Sequence, residues 1–172
     1  MKNIEKNKNN RITQTIDFKE TVITNFSGIY KNQSFYKDHA EKEIFWTELS
    51  DLSGCNCYCD AEAADRICEE IQNYTGNGIH FIDSGNYHYI TKIITDHITE
   101  PFGLVMYDHH TDMQIPMVPE MMSCGDWAGQ TLIQNENLRQ LVVVGPPESD
   151  IEQTLESYKG SKGRQENVES YK

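Results

Sequence analysis

No stretch of this sequence approaches the ~20 consecutive apolar residues that cross a bilayer as a helix. No apolar segment stands behind the charged start Met1-Lys2-Asn3-Ile4-Glu5-Lys6 either, so the N-terminus does not read as an export signal. Basic charge is also scarce: 15 Lys and Arg stand against 27 Asp and Glu, a formal charge of −12. A phosphate backbone or an anionic membrane surface needs clustered Lys and Arg, so neither nucleic acid nor membrane is an expected partner. The acidity itself reads as solubility. Cysteines are few and odd in number, five in all. Without an export signal they read as reduced thiols of a cytoplasmic protein rather than as a disulfide framework.

What is present is enough for one domain with a sizeable core. Residues 1–12 are polar, rich in Asn and Lys, and read as disordered. Residues 13–147 read as one α/β domain, and 148–172 as a polar tail, a frayed helix or disorder. Within the domain, the β-branched run 21–26 predicts a first strand. Ile44, Phe45 and Trp46 must pack somewhere, because clustered large aromatics are costly to leave in water. Asp60 is a natural N-cap for a helix carried by Ala64, Ile67, Cys68, Ile71 and Tyr74, and Gly76 and Gly78 stop it. Residues 79–82 predict a short buried strand ended by the turn Asp83-Ser84-Gly85-Asn86. A helix with Ile90, Ile93, Ile94, His97 and Ile98 follows, with Asn86 as its cap and His88 in its first turn. Residues 128–134 predict a short helix, and 141–144 a further buried parallel strand.

The run Leu104-Val105-Met106-Tyr107-Asp108-His109-His110-Thr111-Asp112 organises the rest. Its unbroken apolar start reads as a strand buried on both faces, and its polar end falls where α/β sheets form their ligand sites. Asp108, His110 and Asp112 lie at i, i+2 and i+4, so in extended chain their side chains project to one side. Two carboxylates and an imidazole suit a divalent ion such as manganese or zinc. Strand 79–82, the helix after it and strand 104–107 read as a βαβ unit with a right-handed crossover. Both strand ends then lie on one edge of a parallel sheet, which brings His88 towards the cluster as a further ligand. A second pattern, Cys55-Asn56-Cys57-Tyr58-Cys59, offers three thiols at spacing two. Structural zinc sites pair cysteines differently, so small buried side chains before a helix are the simpler account.

Ser84-Gly85-Asn86-Tyr87-His88 and Asp108-His109-His110-Thr111-Asp112, with Ser123-Cys124-Gly125 beyond them, resemble the arginase (ureohydrolase-like) superfamily. The likeness is to a bacterial branch known simply as arginase-family proteins, and it covers roughly residues 20–147. The family's signatures are a Gly-Gly-Asp-His turn, an Asp-Ala-His-x-Asp strand end and a later Ser-x-Asp-x-Asp. Here the first carries an inserted residue and altered glycines, and the second has His109 in place of Ala. The third is absent, Ser149-Asp150-Ile151-Glu152 being only a vague likeness that lies too early. Ser123-Cys124-Gly125-Asp126 stands where arginases proper carry a proton-shuttling His.

The resemblance implies a doubly wound parallel sheet in an α/β/α sandwich, incomplete on its C-terminal side. It implies a binuclear manganese site, with zinc as the other candidate, in which two metals ~3.5–4 Å apart share a water and lower its pKa. That water would attack a C–N bond of a small guanidino or amidine compound. By the same resemblance His88 would bind one metal and His110 the other. Asp108 would bridge, and Asp112 would join the first. Two alternatives stand beside this. One is a truncated or non-catalytic member with an incomplete site, prone to self-association because its sheet edge is unpaired. The other is a zinc-binding module on Cys55, Cys57 and Cys59.

Overall fold

The computed structural model describes residues 20–37, 43–74, 78–118, 120–158 and 168–171. The expected disordered segment 1–12 lies outside them. The chain folds as a mixed α/β structure with parallel sheets. Strand β1 (Glu20–Asn25) lies between β2 (Glu43–Glu48) and β4 (Gly78–Phe81), parallel to both. Strand β7 (Leu138–Val144) lies between β5 (Phe102–Tyr107) and β8 (Val168–Tyr171), again parallel to both. A short antiparallel ribbon joins β3 (Tyr58–Cys59) to β6 (Met122–Ser123). Helices α1 (Ala61–Ile71), α3 (Trp127–Gln134) and α4 (Glu148–Tyr158) sit in the crossovers to β4, β7 and β8. Helix α2 (Ile90–Thr95) links one parallel sheet to the other. Among the described residues no helix is long and apolar enough to cross a membrane.

Helix α1 starts where the sequence places it, after Asp60, and ends at Ile71, short of Tyr74. The Asp60 carboxylate accepts from the Ala63 N–H at 2.8 Å, satisfying one of the first-turn donors that lack an intrahelical partner. Ala63, Ile67 and Ile71, spaced by four, are its buried stripe. That stripe joins Ile90 and Ile93 of α2, Trp127 and Leu132 of α3, and Leu138 and Leu141 of β7 in one apolar cluster.

Four expectations need correction. Strands β4 and β5 do not pair with each other: β4 bonds to β1 and β5 to β7, so the expected βαβ unit within one sheet is not what the described strands form. Strand β5 is buried on one face only. Leu104 and Met106 face the core in register with Leu141 and Val143, whereas Val105 and Tyr107 are 53% and 80% exposed. Residues 43–48, for which packing alone was expected, form a strand; Phe45 packs on Tyr74 and Trp46 on Tyr36. Finally, α2 is shorter than expected and Asn86 is not its cap. Asn86 lies in a 3₁₀ turn, Gly85–Tyr87, and its side-chain amide donates to the Asn56 side-chain oxygen Oδ1 at 3.0 Å. His88 follows that turn, ahead of α2.

The region expected as a polar tail carries regular structure. Helix α4 covers 148–158 with Tyr158 buried, and β8 extends the β5–β7 sheet. Its polarity reflects an amphipathic surface helix, which buries few residues per turn.

Candidate metal centre

Asp108 is the first residue beyond β5. Its N–H still donates to Val144 O at 3.1 Å, which fixes its backbone against the end of β7. Gly145 makes that approach feasible: its φ is +120°, and a Cβ there would stand 2.5 Å from Asp108 O. One Asp108 carboxylate oxygen turns back to accept from the His110 N–H at 2.9 Å, an Asx-type turn. The chain therefore bends at 109–110 instead of running on extended, and the expected one-sided projection of Asp108, His110 and Asp112 fails for His110. Its side chain is 79% exposed, with Nδ1 3.4 Å from Asp108 Oδ1 at the rim of the site.

Asp112 returns to the centre by a left-handed backbone, φ 47°. Asp is among the few non-glycine types that enter this region readily. The conformation aims the Asp112 carbonyl at the start of α3, where it accepts from the Ala128 and Gly129 N–H groups at 3.0 and 3.2 Å. A backbone oxygen thus satisfies helix donors that a side-chain cap would otherwise serve. The Asp112 carboxylate is nearly buried and accepts from the Trp127 indole N–H at 2.7 Å.

His88 arrives from the other sheet. Its Nδ1 stands 2.9 Å from Asp112 Oδ2 and 3.3 Å from Asp108 Oδ2, and its ring lies 5.2 Å from that of Trp127. His88, Asp108 and Asp112 thus each offer a donor atom within 4.8 Å of the others. Among the described residues they form the one such group of three or more metal-competent side chains, and Cys55, Cys57 and Cys59 form none. Cys55 and Cys59 are buried, and burial pushes the metal-free Cys59 thiol up to about 12. The His88 imidazole has its pKa raised, first by its hydrogen bond to Asp112 against an opposing desolvation, then by the charges of Asp112 and Asp108.

The spacing suits a divalent ion. Cis ligands around an octahedral ion with ~2.1 Å bonds stand ~3 Å apart, close to the 2.9 and 3.3 Å seen here. Two carboxylates and a neutral imidazole carry two negative charges, which balance one divalent cation and leave nothing over for a second. Beside the cluster a cleft of about 440 Å³ opens between the loop at 110–115 and α4. Asp150, Gln153, Thr154 and Ser157 form its α4 wall, and Thr111 and Thr154 bridge it at 3.0 Å through their hydroxyls.

Of the four residues expected as ligands, three therefore converge and His110 does not. Sequence reasoning passed over Trp127, whose indole holds Asp112. It also passed over Asp126, buried, which accepts from Ser123 N at 2.8 Å and Gln130 Nε2 at 2.9 Å and so fixes the turn that delivers Trp127. The available signal was Trp127 itself, a lone indole donor within a small-residue turn.

No protein-family profile matches this chain, and no solved structure matches it. Over 128 residues it is 28% identical to an uncharacterized protein of Thermotoga maritima, an alignment that covers 74% of this chain and 49% of that protein. The chain spans about half the length of this relative.

Proposed function

We propose that the chain binds one divalent cation through His88, Asp108 and Asp112, and that this is one half of an arginase-like centre for hydrolysing a C–N bond of a small guanidino or amidine compound. The observation that carries the reading is the meeting, within 4.8 Å, of three metal-competent donors from segments that follow strands of two separate sheets. The spacing of the Asp-x-His-x-Asp motif after a strand supports the family part of it. A bound manganese or zinc would supply a Lewis acid that lowers the pKa of a coordinated water. The chain's own residues do the rest. The Trp127 indole and the Asp112 backbone hold the carboxylate in place, as outer hydrogen bonds commonly orient metal ligands. The polar wall of α4 gives a small hydrophilic substrate a place beside the cluster.

The test is metal stoichiometry. The purified chain, equilibrated with Mn²⁺ and freed of excess, should hold about one ion per chain by elemental mass spectrometry, since three ligands and two carboxylates neutralise one divalent charge. Asp108→Ala should abolish it. Metal content unchanged by that substitution would place any ion elsewhere and end the proposal. Release of urea or ammonia from guanidino compounds then tests the hydrolytic part separately.

The pH dependence has a definite sign. His88 is raised above its usual 6.5, so its protonated pairing with the two carboxylates stabilises the metal-free fold fully below the unfolded value. That contribution disappears as pH rises through the raised value. A cation needs the neutral imidazole and competes with that proton. The Mn²⁺-induced rise in Tm should therefore grow with pH across that window. A rise independent of pH from 5 to 8, the range over which histidines titrate, would show that His88 is not a ligand.

A further inference from the structure

Two cysteines stand at the end of the ribbon, one on each side of it. Its register pairs Tyr58 with Ser123 and Cys59 with Met122. One step further sets Cys57 opposite Cys124, and the Cys124 N–H donates to Cys57 O at 2.9 Å. That backbone bond holds the two residues side by side, and the Cys57 thiol donates to the Asn56 side-chain oxygen at 3.6 Å. The two residues flank the paired strands; in a regular antiparallel pair, residues joined by such a bond have Cα atoms about 5.5 Å apart, inside the ~4.4–6.8 Å range that a disulfide spans.

Two further observations single out this pair. Cys57 has φ 63°, a region that a residue with a side chain enters only when its surroundings hold it there. Here the Cys57 N–H donates to Asn86 O at 3.2 Å, and Asn56 and Asn86 join through their side chains. Access also differs among the five cysteines: Cys57 and Cys124 are partly exposed, Cys55 and Cys59 are buried, and Cys68 faces His97 at 3.5 Å instead.

We propose that Cys57 and Cys124 are a reversible dithiol–disulfide site that clips together the turns carrying the cluster. The Asn86 turn leads directly into His88, and Cys124 begins the turn that delivers Trp127 to Asp112. The oxidant class is a small-molecule disulfide such as oxidised glutathione. The Cys57 thiolate attacks one of its sulfurs, breaking that S–S bond and expelling one glutathione thiolate. Cys124 then attacks the Cys57 sulfur of the mixed disulfide and expels the second. The two protein thiols are oxidised to one S–S bond, the oxidant is reduced to two thiols, and the two protein protons end on them. The exchange balances equally with Cys124 attacking first, since both thiols are partly exposed.

The experiment treats the full chain with oxidised glutathione at neutral pH, then alkylates free thiols and digests without reductant. The expected result is loss of two of the five thiols, one cross-linked peptide pair containing Cys57 and Cys124, and full recovery with dithiothreitol. Cys57→Ser should abolish the cross-link. Cys124→Ser should instead accumulate the glutathione adduct on Cys57. The wild-type cross-link decides the matter even if a variant fails to fold. Five thiols left free, a cross-link through Cys55, Cys59 or Cys68, or a soft metal retained by the reduced pair would each overturn the proposal.

Discussion

Asp112→Ala should lose the bound cation and lower stability by about 2–4 kcal/mol, whereas Asp112→Asn should lose the cation at a cost below about 1 kcal/mol. Two properties of the residue separate the variants. Its carboxylate is the acceptor for the Trp127 indole, and its backbone is left-handed at φ 47°. Alanine leaves the indole N–H unpaired in a buried place and adopts the left-handed region only with strain. Asparagine keeps an oxygen for the indole and tolerates that backbone, but it removes the charge a divalent ion needs. Metal counting and thermal melts on both variants read the two effects apart. Alanine should lower Tm by roughly 5–15 °C for a domain of this size. If the Asn variant kept its metal, the carboxylate would not be a ligand; if the Ala variant melted like wild type, the loop would not depend on it.

Trp127→Ala should be the most damaging single truncation near the site, about 3–5 kcal/mol. The side chain is only 1% exposed and is among the largest fully buried ones. It begins α3, lies against the His88 ring, and donates to Asp112. Deleting it removes the apolar burial, leaves a cavity with little chance to collapse between α3 and the His88 turn, and frees Asp112 of its anchor. Trp127→Phe keeps most of the ring volume and loses only the indole donor, at about 2 kcal/mol. Denaturant unfolding of both gives the comparison. Cation affinity should fall in both, because each lets the Asp112 carboxylate turn away from His88. Equal stability losses in the two variants would mean that the hydrogen bond, not the packing, dominates; unchanged affinity in both would mean that Asp112 is held by its backbone alone.

The sequence by itself determined most of what depends on neighbours along the chain. Asp60 caps α1 because a carboxylate three residues before a free N–H can reach it, and that needs no tertiary contact. The apolar runs at 21–26, 79–82, 104–107 and 141–144 each contain or overlap a strand, because β-branched and apolar residues suit an extended, packed backbone. Asp108, Asp112 and His88 were legible as candidate ligands by residue type and by their place after strands, but the extended chain and the single sheet edge expected to join them are not what brings them together.

Only the tertiary structure decided which strands bond to which. An apolar run records that a strand wants burial, not which neighbour provides it, so β5 read as buried on both faces although Val105 and Tyr107 are exposed. It decided that β4 pairs with β1 and β5 with β7, while His88 still reaches Asp112 at 2.9 Å between the two sheets. It also parted His110 from its motif. A period-two pattern converges only in extended chain, and the Asp108 carboxylate bends that chain by taking the His110 N–H for itself. The hold on Asp112 by Trp127, and the backbone bond between Cys57 and Cys124, join residues 15 and 67 positions apart. Such contacts leave no local signature, because side-chain chemistry at one position does not record which distant group the folded chain will bring beside it.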